Sequence, residues 1–292
     1  MQFINEDIIS THKVDALCSN DVGVYALRTD KIHPVISGNK WFKLKFYLKE
    51  ALQKQAKTVI TFGGAYSNHI VATAYACKIA GLKCAGIIRG EEPIEYSHTL
   101  KDAISYGMQL YFVSRQNYKH KIIPPQLNAT GNYFIPEGGY GPSGAAGMAT
   151  LQYEKDTFDI VCCAIGTGTM MAGIINSKNP KAAIMGISVL KNNYELENEI
   201  HYLLINKNER IDIYHDYHFG GYAKYNIELI RFMNEFYVQT GIPTDFVYSG
   251  KLFYAVNDLV EKKYFKPGSN ILVIHCGGLQ GNLSLPKGTL IF

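Results

Sequence analysis

The chain has 292 residues, 47% of them hydrophobic and 18% charged, with a net charge of +4 at pH 7. That length and apolar content suit one large domain or two ordinary ones, and no apolar run approaches the roughly 20 residues needed to span a bilayer. The modest, scattered charge speaks against nucleic acid as a partner.

In chain order, Gln2-Phe3-Ile4-Asn5-Glu6-Asp7 carries acids where a secretory signal carries bases, so a cytoplasmic protein is expected. Lys40, Lys43, Lys45 and Lys49 fall on one expected helix and its approach. Residues 58–62 read as a strand that ends at Gly63-Gly64, followed by a small-residue helix from about Asn68 to Ala80 that Gly81 stops. Residues 83–88 and 109–113 read as strands around a helix over 99–106. In the second half, Asp159 to Ile165 is a buried strand entering Gly166-Thr167-Gly168-Thr169 and then a helix. A strand over 183–190, helices over 194–204, 228–240 and 251–264, and a strand over 270–275 complete the pattern. Strands alternating with helices of this length imply parallel sheets covered on both faces, an α/β protein.

Some of these turns carry chemistry. A glycine turn between a buried strand and a helix points backbone N–H groups at one spot, where the helix dipole adds positive potential. Gly166 to Thr169 therefore suits a phosphate monoester, and an ordinary strand–helix turn is the plainer reading. As a dinucleotide fingerprint it fails, because Met171 stands where the third glycine belongs. Lys40, between Gly38-Asn39 and Trp41-Phe42, could be desolvated enough to free its amine for a Schiff base. Ser67 and Asn68 stand where a helix begins, so they cap it or form a carboxylate pocket. Tyr222 and Tyr248 are singled out by the glycines near them, and His275-Cys276-Gly277-Gly278 is a strand end opening into glycines. The six cysteines form no C-x-x-C pair and read as reduced core thiols. The nine histidines lack ligand spacing, so no metal site is expected.

Together, Gly38-Asn39-Lys40, Gly63-Gly64-Ala65-Tyr66-Ser67-Asn68, Ile135-Pro136-Glu137-Gly138-Gly139, Gly166-Thr167-Gly168, Tyr222 and Tyr248 resemble, in order, the pyridoxal-phosphate family of 1-aminocyclopropane-1-carboxylate deaminase and D-cysteine desulfhydrase. The resemblance implies a tryptophan-synthase-beta-like fold (fold type II) of two three-layer α/β/α domains. Residues 1–43 plus 147–292 would form the large cofactor-binding domain, and 44–146 the smaller inserted one. Lys40 would hold pyridoxal phosphate and later shuttle protons. Asn68 would touch the cofactor's 3-oxygen and Ser67 the substrate carboxylate. The phosphate would lie on Gly166, Thr167, Gly168 and Thr169, with Lys43 beside it, while Tyr222 and Tyr248 face the substrate. Ser249 stands where the ring-opening deaminases carry a glutamate that meets the pyridine nitrogen. Cys276 holds the strand-end position given to leucine or threonine, and Tyr66 replaces the usual glutamine. Ser249 favours a D-cysteine-desulfhydrase-like β-elimination on a small amino acid over ring opening. A dinucleotide oxidoreductase and a non-catalytic pyridoxal-phosphate binder are the competing readings. The resemblance also implies a homodimer.

Overall fold

The computed structural model describes residues 4–178 and 181–292. Its strands are β1 (Thr11–Lys13), β2 (Gly23–Leu27), β3 (Thr58–Gly63), β4 (Cys84–Arg89), β5 (Met108–Val113), β6 (Asn132–Ile135), β7 (Ile160–Ile165), β8 (Ala183–Ser188), β9 (Asp212–Tyr214) and β10 (Asn270–Ile274). Its α-helices are α1 (Asn39–Gln53), α2 (Asn68–Ile79), α3 (His98–Ser105), α4 (Arg115–Lys119), α5 (Pro142–Met148), α6 (Thr169–Ser177), α7 (Leu196–Leu203), α8 (Ile227–Thr240) and α9 (Ser249–Glu261).

The strands form two sheets. One runs β1-β2-β10-β7-β8-β9, parallel throughout except for β1, which pairs antiparallel with β2. The other runs β5-β4-β3-β6 and is wholly parallel. Parallel strands covered on both faces are near-continuous apolar runs, as the buried stretches of β3, β4, β7 and β10 are. All four strands of the second sheet fall within 44–146, and the borders expected there lie inside α1 and α5, which pack on each other.

Local chemistry explains why α1 and α5 can meet. A Cβ on Gly147 would sit 2.0 Å from the carbonyl oxygen of Phe42, so only glycine permits this approach. With two glycines and a proline in seven residues, α5 has poor intrinsic helix propensity and is held by packing. For that reason the sequence pattern did not reveal it. The edge strands β1 and β9, with three residues each, and β6, with four, are too short to show a period.

The strands carry their functional turns at one end. Gly64 follows β3, Gly166 follows β7 and His275 to Gly278 follow β10. Open α/β sheets bind ligands outside the carboxyl ends of their strands, and here the two sheets turn those ends toward one cleft.

Candidate active site

The cleft has a volume of about 810 Å³ and takes its lining from both sheets. Lys40, Lys43, Ser67, Asn68, Gly166, Thr167, Gly168, Tyr222 and Tyr248 all line it. Thr169, Ser249 and Cys276 stand behind that lining, fully buried or nearly so.

Lys40 is the second residue of α1. Gly38 precedes the helix with φ +60°, and a Cβ there would fall 2.0 Å from the carbonyl oxygen of Cys276. That carbonyl accepts the Asn39 N–H at 3.3 Å. The helix start is thus pressed against the end of β10, which places Lys40 over the sheet. Its ammonium donates to Asn39 Oδ1 at 2.9 Å and lies 5.6 Å from the centre of the Tyr248 ring. Burial lowers its pKa, partly offset by Cys276 and Asp245. A lysine so placed loses its proton more readily and can act as a nucleophile or base.

One turn along α1, Lys43 is 5% exposed, and its ammonium donates to Thr167 Oγ1 at 3.4 Å. Burial and then the neighbouring Lys40 push its pKa down to about 7, against smaller opposing effects of Cys276 and Cys163. Thr167 and Thr169 share a hydroxyl hydrogen bond of 3.1 Å at the N-terminus of α6. Gly168, in the left-handed region at φ +74°, turns the chain into that helix, and a Cβ there would strike Ile200 Cγ1 at 2.4 Å. Free N–H groups, two hydroxyls and an amine therefore converge on one corner of the cleft.

Across the cleft, the Ser67 hydroxyl accepts the His69 N–H at 3.3 Å and so caps α2. Asn68 is buried, and its Nδ2 donates to the Gly278 carbonyl at 3.3 Å, while its Oδ1 has no hydrogen-bond partner. Sequence reasoning passed over His69, whose Nε2 meets Thr61 Oγ1 at 2.8 Å. Burial first, then Lys40 and Lys43, push its pKa down to about 3, so its ring is neutral.

Tyr222 and Tyr248 meet edge to face, ring centres 6.1 Å apart. Burial raises both phenols; the hydrogen bond between them raises Tyr248 further and counts in the opposite direction for Tyr222. Tyr222 is thus the easier of the pair to deprotonate. Tyr248 is set by Asp245, another residue that sequence reasoning missed. Its carboxylate accepts the N–H groups of Val247, Tyr248 and Ser249 at 3.0, 2.9 and 2.8 Å, and the Ser249 hydroxyl at 2.6 Å. Ser249 Oγ in turn accepts the Asp245 N–H at 2.7 Å. The spacing of an acid four residues before a helical serine was the available clue, but the sequence pattern put the helix start at 251 and not at Ser249. Burial, and then Asp245, hold the Cys276 thiol above its ordinary range, so it is protonated. Arg89, at the end of β4, and Glu137 also line the cleft.

The comparisons agree with this geometry. A family model described as pyridoxal-phosphate dependent enzyme matches residues 10–277. The chain belongs to the pyridoxal-phosphate-dependent enzymes. An Arabidopsis thaliana protein, a bifunctional D-cysteine desulfhydrase/1-aminocyclopropane-1-carboxylate deaminase, is 30% identical, over 90% of this chain and 74% of its own. A Serratia proteamaculans D-cysteine desulfhydrase is 26% identical, over 87% of this chain and 86% of its own. A crystal structure of a homologue of 1-aminocyclopropane-1-carboxylate deaminase superposes with a TM-score of 0.79 at 31% identity, covering 94% of this chain and 90% of that one.

The donor set suits pyridoxal phosphate. The α6 corner with Lys43 fits a phosphate, the buried Asn68 amide is only partly satisfied, and Lys40 is the desolvated amine that a carbonyl cofactor requires. Bound there, the cofactor supplies the electron sink for breaking bonds at an amino acid's α-carbon. Around it the chain's own residues would do the rest: Lys40 would move a proton, Ser67 and the start of α2 would orient a carboxylate, and the apolar walls Ala164, Ile165, Met170 and Phe246 would exclude water.

Proposed function

We propose that this pyridoxal-phosphate lyase eliminates the β-substituent of a small amino acid in the manner of a D-cysteine desulfhydrase. The substrate loses its Cα proton to the Lys40 amine and its sulfur as hydrogen sulfide, and with one water it yields pyruvate and ammonia. The observation that carries this reading is the head of α9. Ser249 offers a hydroxyl whose proton is committed to Asp245, Asp245 is itself occupied by four donors, and Cys276 is a neutral thiol. No free carboxylate stands at position 249 to hold a protonated ring nitrogen, so a deep carbanion sink is disfavoured and elimination of a good leaving group is favoured.

Ring opening of 1-aminocyclopropane-1-carboxylate is the second reading. The Tyr222–Tyr248 pair favours it, because Tyr248 would act as the nucleophile and Tyr222, whose ring it meets edge to face, lines the cleft beside it. The test is turnover of each compound by the cofactor-loaded protein. Sulfide and pyruvate from D-cysteine support the first reading, whereas 2-oxobutyrate from the cyclopropane compound with D-cysteine inert would replace it. All six cysteines are free and five are buried, which supports a reducing compartment and hence the cytoplasm. The homodimer implied by the resemblance belongs to this reading and is checked by sedimentation.

A further inference from the structure

Lys251 has no part in the chemistry described above, yet it is 0% exposed. It sits in the first turn of α9, three residues after Tyr248. Its ammonium leaves the helix and donates to two backbone carbonyls, His218 and Gly221, both at 2.8 Å. Those carbonyls flank the turn that delivers Tyr222 to the cleft.

The turn has little to hold it by itself. Phe219, Gly220, Gly221 and Ala223 have φ values of +51°, +94°, +119° and +53°. Left-handed backbone at non-glycine residues persists only where the surroundings over-determine it. The local bonds are sparse: the Gly221 N–H to the His218 carbonyl, the Lys224 N–H to the Gly221 carbonyl, and the Gly220 N–H to His218 Nδ1. Each of these two carbonyls accepts one N–H within the turn, and Lys251 brings a second donor to both from outside it.

We propose that Lys251 is a positioning residue that ties the Tyr222 turn to the head of α9 and so fixes Tyr222 against Tyr248. The same helix start carries Tyr248, so one side chain sets the spacing of both phenols. Burial, offset by Asp245, brings the Lys251 pKa down to about 8. A neutral amine still has two N–H donors for two carbonyls, so the tie does not depend on which form is present.

The inference rests on Tyr222 acting on the substrate, and its test separates the two. Hydrogen exchange is measured on the cofactor-free chain, wild type against Lys251→Met, which keeps length and burial but has no donor. Amides of 218–225 should exchange at least tenfold faster, with β7, β10 and α6 unchanged. Unchanged protection at 218–225 overturns the tie whatever the enzyme does. In the loaded enzyme, Lys251→Met should lower kcat about tenfold with a smaller change in KM, and should cost nothing further in a Tyr222→Phe background. Losses that multiply overturn the positioning role, because a general weakening of the fold would act in either background. Where Lys251→Met does not fold, Lys251→Gln, with a shorter side chain and an amide donor, is put through the same two measurements. If wild type fails to turn over D-cysteine, the proposed function falls and the exchange result still stands.

Discussion

At the scale of single residues, the cleft is governed by two lysines one helical turn apart. Lys40 lies 5.6 Å from the centre of the Tyr248 ring, and Lys43 donates to Thr167 at 3.4 Å. Replacing Lys40 by Ala should remove the visible absorbance of covalently held cofactor and lower turnover by about 10²–10⁴-fold or more, since both attachment and proton transfer are lost. Retained absorbance on titration with pyridoxal phosphate would sink the assignment. Lys43 yields a different expectation. With its pKa pushed down to about 7, it is largely neutral in the free protein at pH 8. A phosphate dianion beside it favours the charged form, so binding at pH 8 should take up a proton. Calorimetry of pyridoxal phosphate binding, repeated in buffers of different ionisation enthalpy, reads that proton directly. Lys43→Met should abolish the buffer dependence, and an uptake that survives the substitution would show that another group carries it.

At the scale of elements, the turns decide function, and their legibility varied with how local their cause is. Gly168 and Gly241 have similar left-handed backbone, at φ +74° and +66°, but a Cβ on Gly241 would meet nothing within 4 Å. Gly241→Ala should therefore cost only the conformational penalty, about 1–2 kcal/mol. Gly168→Ala should cost about 1–3 kcal/mol more, because it forces Ile200 aside, and should also weaken cofactor binding; chemical denaturation of both variants gives the difference, and equal losses would refute the argument. Asp245→Asn should destabilise by about 1–3 kcal/mol, since an amide cannot accept from four donors. The Gly166 to Thr169 turn was readable in the sequence because strand, glycine and helix follow one another directly there, whereas Gly38-Asn39-Lys40, eleven residues beyond β2, stood out through the family resemblance. Asp245 was missed although its donors lie within four residues, because the helix was read as starting at 251 and not at Ser249; Lys251 was not readable, because its carbonyls at 218 and 221 are brought close only by folding. The strands β3, β4, β7, β8 and β10 were likewise visible as apolar runs, whereas α5 exists because Gly147 lets it touch α1. Ser249 was read as facing the cofactor ring; the fold turns its hydroxyl back to Asp245.

At the scale of the whole molecule, a cleft built from buried amines, phenols and thiols gives the free protein an unusual dependence of stability on pH. His69, pushed down to about 3, stays neutral in the folded chain while the unfolded chain binds a proton below the ordinary histidine value of 6.5. Lys43 and Lys251, pushed down to about 7 and about 8, release protons that the unfolded chain keeps up to 10.5. In both cases the unfolded chain binds more protons, so stability rises with pH, by about 1.4 kcal/mol per pH unit for each full proton of difference. The sign reverses higher up. Cys77, Cys162, Cys163 and Cys276 hold their protons above the ordinary thiol value of 9.0, and Tyr47 and Tyr153, raised to about 12, hold theirs above 10.0. There the folded chain binds more, and stability falls as pH rises. The cofactor-free protein should consequently be most stable at about pH 8 to 9, above the usual optimum of roughly pH 5–8. Pyridoxal phosphate seated beside Lys43 would favour its charged form, so one of the causes of the alkaline optimum should disappear when it binds. Thermal unfolding of the free and loaded forms at constant ionic strength, from about pH 6 to 10, should show the loaded optimum displaced toward neutrality. Identical optima would mean that the cofactor does not touch the buried lysines, and an optimum of the free form below about pH 7 would mean that those lysines are solvated.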